Sequence, residues 1–481
     1  MSDDLLARHD ATGLAALIRD GEVTPTEVTE ATIARIEATN GDVNAVIHPA
    51  FERGLAEAAS PDLPDGPFLG VPMLMKDLWP STAGEPFHLG NKALAAAGYV
   101  HPTDADLTTR YREAGFVMVG RTNTPELGLV ATTEPEAYGP SRNPWDTSRS
   151  PGGSSGGAAA AVAAGMLPAA NASDGGGSIR IPAASCGLVG LKPSRGRVPM
   201  GPLQEEWSVS VQHVVCHTVR DCAGILDATA RPFPGDGVIA PPPSRPFADE
   251  VGAEVGRLRI GLLAVSPRED TVTDDACQRA ARDAAALLER FGHDVVEAHP
   301  DPLDRTHELG DAFMTNWFSN SRKNLTWIAS VLGRELNEDD VEPATWLMAQ
   351  MADQVTGQQY MEAQSAMARF RREMLQWWAD GFDLLLTPTM AALPPELGDL
   401  VATEDDPTRA LRHSTPYAAF TSPFNVTGQP AISLPLSRSE SGLPIGVQLV
   451  AAYAREDLLL RIAAQLESEV RWADVRAPMH P

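Results

Sequence analysis

Short apolar segments that predict β-strands alternate with longer segments that predict α-helices along most of the 481 residues of this chain. The predicted strands are 68–76, 116–120, 188–191, 258–263, 293–297, 382–386, 431–436 and 446–451. The predicted helices include 105–114, 158–167, 274–291, most of 311–380 and a closing helix from Glu456. This alternation predicts an α/β fold with a mixed, largely parallel central sheet flanked by helices on both faces. No internal repeat is evident, which argues against a solenoid or a propeller.

We expect a single domain over residues 1–481 that is built from four consecutive parts. Residues 1–60 form an N-terminal helical segment, in which Thr24 and Glu27 form a capping box at a helix start. Residues 61–232 form the core that carries the chemistry. Residues 233–380 combine a linker rich in proline and glycine (233–247) with a helical region that holds five of the nine tryptophans. Residues 381–481 supply strands and a helix that complete the sheet.

The charge balance excludes some classes of partner. The formal net charge is −26, and such a charge repels phosphate backbones and anionic lipid headgroups. No signal peptide is visible at the N-terminus, and the longest apolar run, 156–167, is too short to span a membrane. The four cysteines show no metal-like spacing, so we expect buried thiols. A soluble cytoplasmic protein that binds neither nucleic acid nor membranes is predicted.

Two clusters of glycine and serine are the most informative part of the chain. Gly-Gly-Ser154-Ser155-Gly-Gly leads directly into an alanine-rich helix, and Asp174-Gly-Gly-Gly-Ser178 follows. Such clusters are usually flexible loops. Three glycines before a serine, however, let successive backbone N–H groups converge beside a hydroxyl, which is the arrangement that acyl transfer requires. A nucleophilic serine also needs a base.

Three kinds of group could activate the serine. Gly152-x-Ser154-x-Gly156 matches the nucleophile elbow that is paired with a histidine, but the polar segment 143–150 before it does not predict the required strand. His213 and His217 have the spacing of metal ligands on a helix, yet no glutamate lies between them. Lys76 ends an apolar strand, where desolvation can leave a neutral amine, although strand-end lysines commonly reach out to solvent instead.

The residues together resemble the amidase signature family. The resemblance is carried, in order, by Lys76, Gly-Gly-Ser154-Ser155-Gly-Gly, Asp-(Gly)3-Ser178-Ile-Arg-Ile-Pro and Cys186-Gly-Leu-Val-Gly-Leu-Lys-Pro, with Ser154 and Ser178 24 positions apart. It implies a Ser–cis-Ser–Lys triad: Ser178 as nucleophile, Ser154 after a cis peptide bond as proton relay, and neutral Lys76 as base. The oxyanion hole would be formed by the amides of four consecutive residues, Gly175, Gly176, Gly177 and Ser178.

The resemblance also assigns supporting residues and one departure. Asp174, Arg180 and Ser155 would support the triad, and neither a metal nor a cofactor is implied. Gly175 stands where the family commonly has threonine, which changes the lining of the site more than its chemistry.

Further motifs, such as Phe424-Asn-Val-Thr-Gly-Gln-Pro, extend the resemblance over nearly the whole chain to a branch of the family that degrades nylon oligomers. It suggests a compact, uncharged amide as substrate, with the cyclic dimer of 6-aminohexanoate as one candidate. Asn316, Trp317 and Phe318 in the tryptophan-rich region are predicted to line the substrate pocket. No methionine at position 125 can line this pocket, because the chain has Pro125 there. The expected partner is a small-molecule amide, and a homodimer is expected from the habit of the family.

Two alternatives stay open at this stage. One is the amidase subunit of a glutamine-dependent tRNA amidotransferase, which would share the triad but would need partner chains. The other is a non-catalytic binding protein that kept the fold.

Overall fold

In the computed structural model, residues 2–204 and 208–480 are described, and they contain eleven strands and sixteen α-helices. The strands are β1 Val46–Pro49, β2 Pro72–Lys76, β3 Val117–Thr122, β4 Ala169–Asp174, β5 Val189–Lys192, β6 Val211–Cys216, β7 Arg259–Leu262, β8 Asp294–Glu297, β9 Leu384–Pro388, β10 Ala431–Arg438 and β11 Pro444–Ala451. The helices are α1 Ser2–Arg8, α2 Ala11–Arg19, α3 Pro25–Val43, α4 Phe51–Ala58, α5 Lys92–Ala97, α6 Asp106–Glu113, α7 Gly156–Ala163, α8 Arg180–Cys186, α9 Val219–Thr229, α10 Asp275–Arg290, α11 Thr306–Leu332, α12 Pro343–Ala352, α13 Gly357–Ala379, α14 Arg409–Ala418, α15 Ser422–Thr427 and α16 Glu456–Val470.

The eleven strands form one mixed sheet with the order β1-β3-β2-β4-β6-β5-β10-β11-β9-β7-β8. Helices cover both of its faces, which the alternation along β2 illustrates. Met73 and Met75 pack into the cluster that contains α9, α10 and α16, whereas Leu74 packs into the cluster that contains α7. The predicted α/β fold with a mixed sheet between helices is therefore confirmed.

The prediction that the sheet is largely parallel is wrong. Among the described strands, only four of the ten pairs are parallel, and they lie towards the two ends of the sheet. The six antiparallel pairs include the uninterrupted middle block β4-β6-β5-β10-β11-β9. The short connection 439–443 between β10 and β11 explains part of this difference, because a parallel pair needs a much longer crossover.

Local signals in the sequence located most elements but missed three strands. The capping box of Thr24 and Glu27 is present at the start of α3, with Glu27 Oε2 accepting the Thr24 amide N–H at 2.8 Å. Segment 233–246 contains neither helix nor strand. The missed strands are β1, β4 and β6; β4 is built from small and polar residues with low strand propensity, and pairing with β6 and β2 holds it in the sheet.

Two composition-based expectations can be compared with the structure. All four cysteines are buried free thiols, as predicted. Over the described ranges, no helix combines the length and the apolar character that a membrane crossing requires.

Candidate active site

Lys76 is the last residue of β2 and has no exposed surface. Its Nζ lies 2.7 Å from Ser154 Oγ and 2.9 Å from Ser173 Oγ. Burial lowers the pKa of Lys76 well below its usual value, and the charge of Asp174 only partly opposes this shift. The side chain therefore does not reach out to solvent, and a neutral amine is favoured beside two serine hydroxyls.

Ser154 lies in the loop before α7, and its side chain is 2% exposed. The Gly153–Ser154 peptide bond is cis, as the resemblance implies. The neighbouring Ser155 hydroxyl donates to the Ser173 carbonyl at 3.1 Å and accepts the Ser173 amide N–H at 3.2 Å. The loop is thus fastened to β4 next to the Lys76 amine.

Ser178 lies between the end of β4 and the start of α8, where it is partly exposed. It lines two cavities. The polar cleft, of 60 Å³, is also lined by Ser154, Ser173, Gln212 and Asn320. The apolar pocket, of 270 Å³, is lined by the side chains of Leu129, Ile181, Phe313, Met314, Trp317 and Leu411 among others.

The structure therefore brings the three predicted catalytic residues to one place, but it connects them unequally. Lys76 and Ser154 are hydrogen bonded, whereas the contacts of the described residues give the Ser178 hydroxyl no hydrogen-bond partner. Ser178 is placed near the other two because it lines the same polar cleft as Ser154.

The glycine run before Ser178 supplies backbone donors, with one exception. Gly177 has a φ of +139°, which favours glycine, and its N–H donates to Asp174 Oδ1 at 2.7 Å. This amide is therefore committed to the carboxylate and is not available to an oxyanion. Gly175 lines the polar cleft, Gly176 lines the apolar pocket, and Ser178 lines both.

Asp174 and Arg180 form a buried ion pair behind the glycine run. Arg180 Nε lies 2.9 Å from Asp174 Oδ2, and neither side chain is exposed. Burial acts to raise the pKa of Asp174, but the charge and hydrogen bonds of Arg180, with help from Lys192 and Asn425, lower it to about 2. The pair fixes the backbone around Ser178, which agrees with the supporting position expected for both residues.

Several residues around this ion pair were not predicted from the sequence. Asn425 Nδ2 donates to Asp174 Oδ1 at 2.8 Å, and Gln448 Oε1 accepts from Arg180 at 2.7 Å. The Thr421 hydroxyl donates to the Gly176 carbonyl at 2.7 Å. These residues come from α15, β11 and the turn before α15, which lie more than 240 positions away along the chain. Ser173 is different, because its position directly before Asp174 was a local signal that could have been used.

The structure also tests the two alternatives to Lys76, the histidine pair with metal-ligand spacing and the nucleophile elbow. His213 lies on β6, where its Nε2 is 3.1 Å from the Cys222 carbonyl, and His217 Nε2 is 3.0 Å from the Val162 carbonyl. Neither histidine lines the polar cleft or the apolar pocket. The segment 143–150 before Ser154 is not one of the described strands, so the nucleophile-elbow interpretation also fails.

Helix α11 places the three predicted pocket residues in different surroundings. Trp317 lines both the polar cleft and the apolar pocket, and its ring lies 3.3 Å from where a Cβ of residue 175 would stand. Gly175 therefore leaves space that the Trp317 ring fills.

Asn316 and Phe318 differ from Trp317. Asn316 is 4% exposed and lines a separate neighbouring cavity. Phe318 lines neither cavity at Ser178 and packs with Ala344, Met348 and Ala410; successive helical residues point about 100° apart, and its contact with substrate stays a prediction.

Position 125 holds a proline rather than a methionine, and it is not part of the pocket lining. Pro125 is buried and lines neither the polar cleft nor the apolar pocket. Its carbonyl accepts the Gly128 N–H at 2.9 Å in the turn Glu126–Gly128. Gly128 itself lines both cavities, so Pro125 supports the wall of the site through the backbone and offers no side chain to a substrate.

Comparison with known proteins gives a consistent result. The sequence pattern of the Amidase family matches residues 27–460. The chain belongs to the amidase family. It is 44% identical over 473 residues to a 6-aminohexanoate-cyclic-dimer hydrolase of Pseudomonas sp. (strain NK87), and the match covers 96% of this chain and 95% of that protein.

Solved structures agree with the sequence match. A structure of 6-aminohexanoate cyclic dimer hydrolase superposes with a TM-score of 0.95 at 43% identity, covering 98% of this chain and 99% of the other. A subunit of the glutamyl-tRNA(Gln) amidotransferase of Thermotoga maritima is also similar, with a TM-score of 0.75, 26% identity and coverage of 95% and 94%. The resemblance seen in the sequence is thus confirmed, and amide hydrolysis is the class of reaction that this enzyme catalyses.

Proposed function

We propose that this amidase hydrolyses small, uncharged amides through Ser178, Ser154 and Lys76, and that cyclic diamides such as the 6-aminohexanoate cyclic dimer are among its substrates. The observation that carries the proposal is the 2.7 Å contact between Lys76 Nζ and Ser154 Oγ, made without exposure of Lys76 and beside the cavity that Ser178 lines.

The proposed reaction follows from the lowered pKa of Lys76. The neutral amine takes a proton from Ser154, which takes the proton of Ser178 as that hydroxyl attacks the amide carbon. The amides of Gly175, Gly176 and Ser178 are the candidate donors to the developing oxyanion. The proton returns along the same path to the leaving nitrogen, the C–N bond breaks, and water then hydrolyses the Ser178 ester.

The two cavities at Ser178 support the choice of substrate. A cyclic diamide carries two amide groups joined by methylene chains. The apolar pocket suits the methylenes, because apolar side chains such as those of Trp317 and Phe313 line it. In the polar cleft, Gln212 Oε1 is buried and has no hydrogen-bond partner among the described residues, so it offers an acceptor to a substrate N–H.

The test is a hydrolysis screen with the purified protein and its Ser178→Ala variant, using the cyclic dimer, linear amides, esters and carbamates. Release of amine from amides by the wild-type protein alone is the expected result. Equal release of amine by the variant would show that Ser178 is not the nucleophile. Hydrolysis of linear amides but not of the cyclic dimer would show that the cyclic dimer is not a substrate.

One other function remains to be separated from this one. An amidotransferase subunit would need its partner chains for amide turnover, whereas we expect the single chain to be active. The alternative of a non-catalytic binding protein does not agree with the family and the relatives that the chain matches. A cytoplasmic location, a homodimeric state and the four-part division of the chain stay predictions.

A further inference from the structure

A third cavity, of 660 Å³, lies next to the polar cleft and has no part in the reaction above. We call it the cationic chamber; its lining includes Arg195, Asn316, Asn320, Lys323, Tyr360 and Arg371. Three of its residues are basic, and none of its described lining residues is acidic. This composition is unusual for a chain of net charge −26, in which acidic residues outnumber basic ones by 64 to 38.

Two hydrogen-bond donors at the chamber have no acceptor among the residues that the structure describes. Asn316 accepts a hydrogen bond from Gln364 Nε2 at 3.0 Å through its Oδ1, but its Nδ2 is buried without a partner among the described residues. The Nε of Arg195 is likewise buried and unpartnered, although the Arg195 Nη2 donates to the Asn425 carbonyl at 2.7 Å. Buried donors are normally satisfied, so these two atoms indicate a ligand that supplies acceptor oxygens.

Two of the chamber's charges, those of Arg195 and Arg371, also lack compensation by an acidic side chain among the described residues. Burial, together with the charge of Arg371, lowers the pKa of Arg195 to about 10, so the two guanidinium groups act on each other across the cavity. An anion placed between them would relieve this repulsion.

The chamber adjoins the place where the amide would be cleaved. Ser208, Val209 and Asn320 line both the chamber and the polar cleft, which also contains Ser178. A molecule that reached from Ser178 past Asn320 would place its far end among the chamber's cations. Linear amides built from amino acids end in a carboxylate, and arginine binds carboxylates through paired N–H groups.

We propose that the cationic chamber binds the terminal carboxylate of a linear amide whose scissile bond lies at Ser178. The inference rests on the proposed function, and it extends the substrate range from uncharged amides to amides of amino acids. Arg371 and Arg195 hold the carboxylate, and Asn316 Nδ2 donates to one of its oxygens.

The test compares two substrates of similar length, 6-acetamidohexanoate and uncharged N-hexylacetamide, at constant ionic strength. The variant is Arg371→Gln, and the matched control is Arg372→Gln, which removes the same charge from an exposed neighbouring position on α13. The ratio of the two kcat/KM values, charged over neutral, should fall about 10- to 100-fold in Arg371→Gln, mainly through KM, and should keep its wild-type value in the control. An unchanged ratio in Arg371→Gln overturns the proposal.

A binding measurement keeps the proposal testable if turnover is slow. Titration calorimetry on Ser178→Ala should detect 6-acetamidohexanoate, and adding Arg371→Gln should weaken its Kd about 10-fold or more. No binding, or the same Kd in both proteins, contradicts the proposal, and equally strong competition by inorganic phosphate would reduce the chamber to an unselective anion site. Failure of the proposed function is seen separately, as absence of hydrolysis of every amide, including N-hexylacetamide.

Discussion

Ser173 provides a sharp test of how the Lys76 amine is held. Its hydroxyl is one of two that contact Nζ, at 2.9 Å, while the other belongs to Ser154 at 2.7 Å. Ser173→Ala removes this contact but leaves the proposed proton path from Ser178 through Ser154 to Lys76 complete. Although Ser173 is buried, its side chain is small, so its truncation creates little empty space.

The expected loss follows from the value of one hydrogen bond. A neutral hydrogen bond in a folded protein contributes about 0.5–1.5 kcal/mol. If loss of this bond raises the activation free energy by that amount, kcat falls by about 2- to 13-fold, since about 1.36 kcal/mol corresponds to a factor of ten. The pH dependence should shift as well. The Ser173 oxygen accepts from the amine and so stabilises the ammonium form, and its removal lowers the pKa of Lys76 further. The loss of activity on acidification should therefore begin at a lower pH than in the wild-type enzyme.

The assay is amine release from a neutral amide at saturating and subsaturating substrate over a range of pH. Ser185→Ala is the control, since the Ser185 hydroxyl is also buried but donates to the Ile181 carbonyl of its own helix at 3.0 Å. If Ser173→Ala keeps the wild-type kcat and loses activity on acidification at the same pH as the wild type, this hydroxyl neither positions Lys76 nor shifts its pKa, and the argument is refuted.

Three other predictions concern the surroundings of the triad. Asp174→Asn leaves the Arg180 guanidinium buried and unpaired, so the free energy of unfolding in denaturant should fall by about 3–5 kcal/mol at neutral pH. Because the pKa of Asp174 is lowered from 3.8 to about 2, that deficit should shrink as the pH falls through this interval; a constant deficit would contradict the ion-pair explanation. Trp317→Ala should change the relative hydrolysis rates across a panel of amides, whereas Phe318→Ala should not. Relative rates in Trp317→Ala that equal those of the wild type would show that Trp317 has only a structural role. Gln212→Met should raise KM for a diamide more than for a monoamide, and equal increases would remove Gln212 Oε1 as a substrate acceptor.

The sequence predicted the triad because its signals are local. Lys76 stands at the end of an apolar run, and each serine stands inside a glycine cluster whose spacing the family shares. The carboxylate of Asp174 and the guanidinium of Arg180 are six positions apart, so their pairing is also a short-range feature.

Features that depend on tertiary packing could not be predicted in the same way. Whether Phe318 or Trp317 faces the site depends on the rotation of α11 about its axis, which no pattern in the tryptophan-rich segment fixes. The partners Asn425 and Gln448 reach Arg180 only because β11 and α15 return to the sheet late in the chain. The assignment of Gly177 to the oxyanion hole is a third case, since its N–H is taken by a carboxylate three residues earlier. Whether neighbouring central strands run parallel or antiparallel likewise depends on the sheet order, which the lengths of the connections alone do not determine.

The rate at which a fluorophosphonate modifies Ser178 tests the central claim most directly. Mass spectrometry should find the adduct on Ser178, and the rate in the wild-type protein should fall as the pH is lowered and the Lys76 amine gains a proton. In a Lys76→Met variant that unfolds at the wild-type temperature, modification should be slower by about 100-fold or more. Adduct formation at the wild-type rate in that variant, or on another residue, would contradict the account.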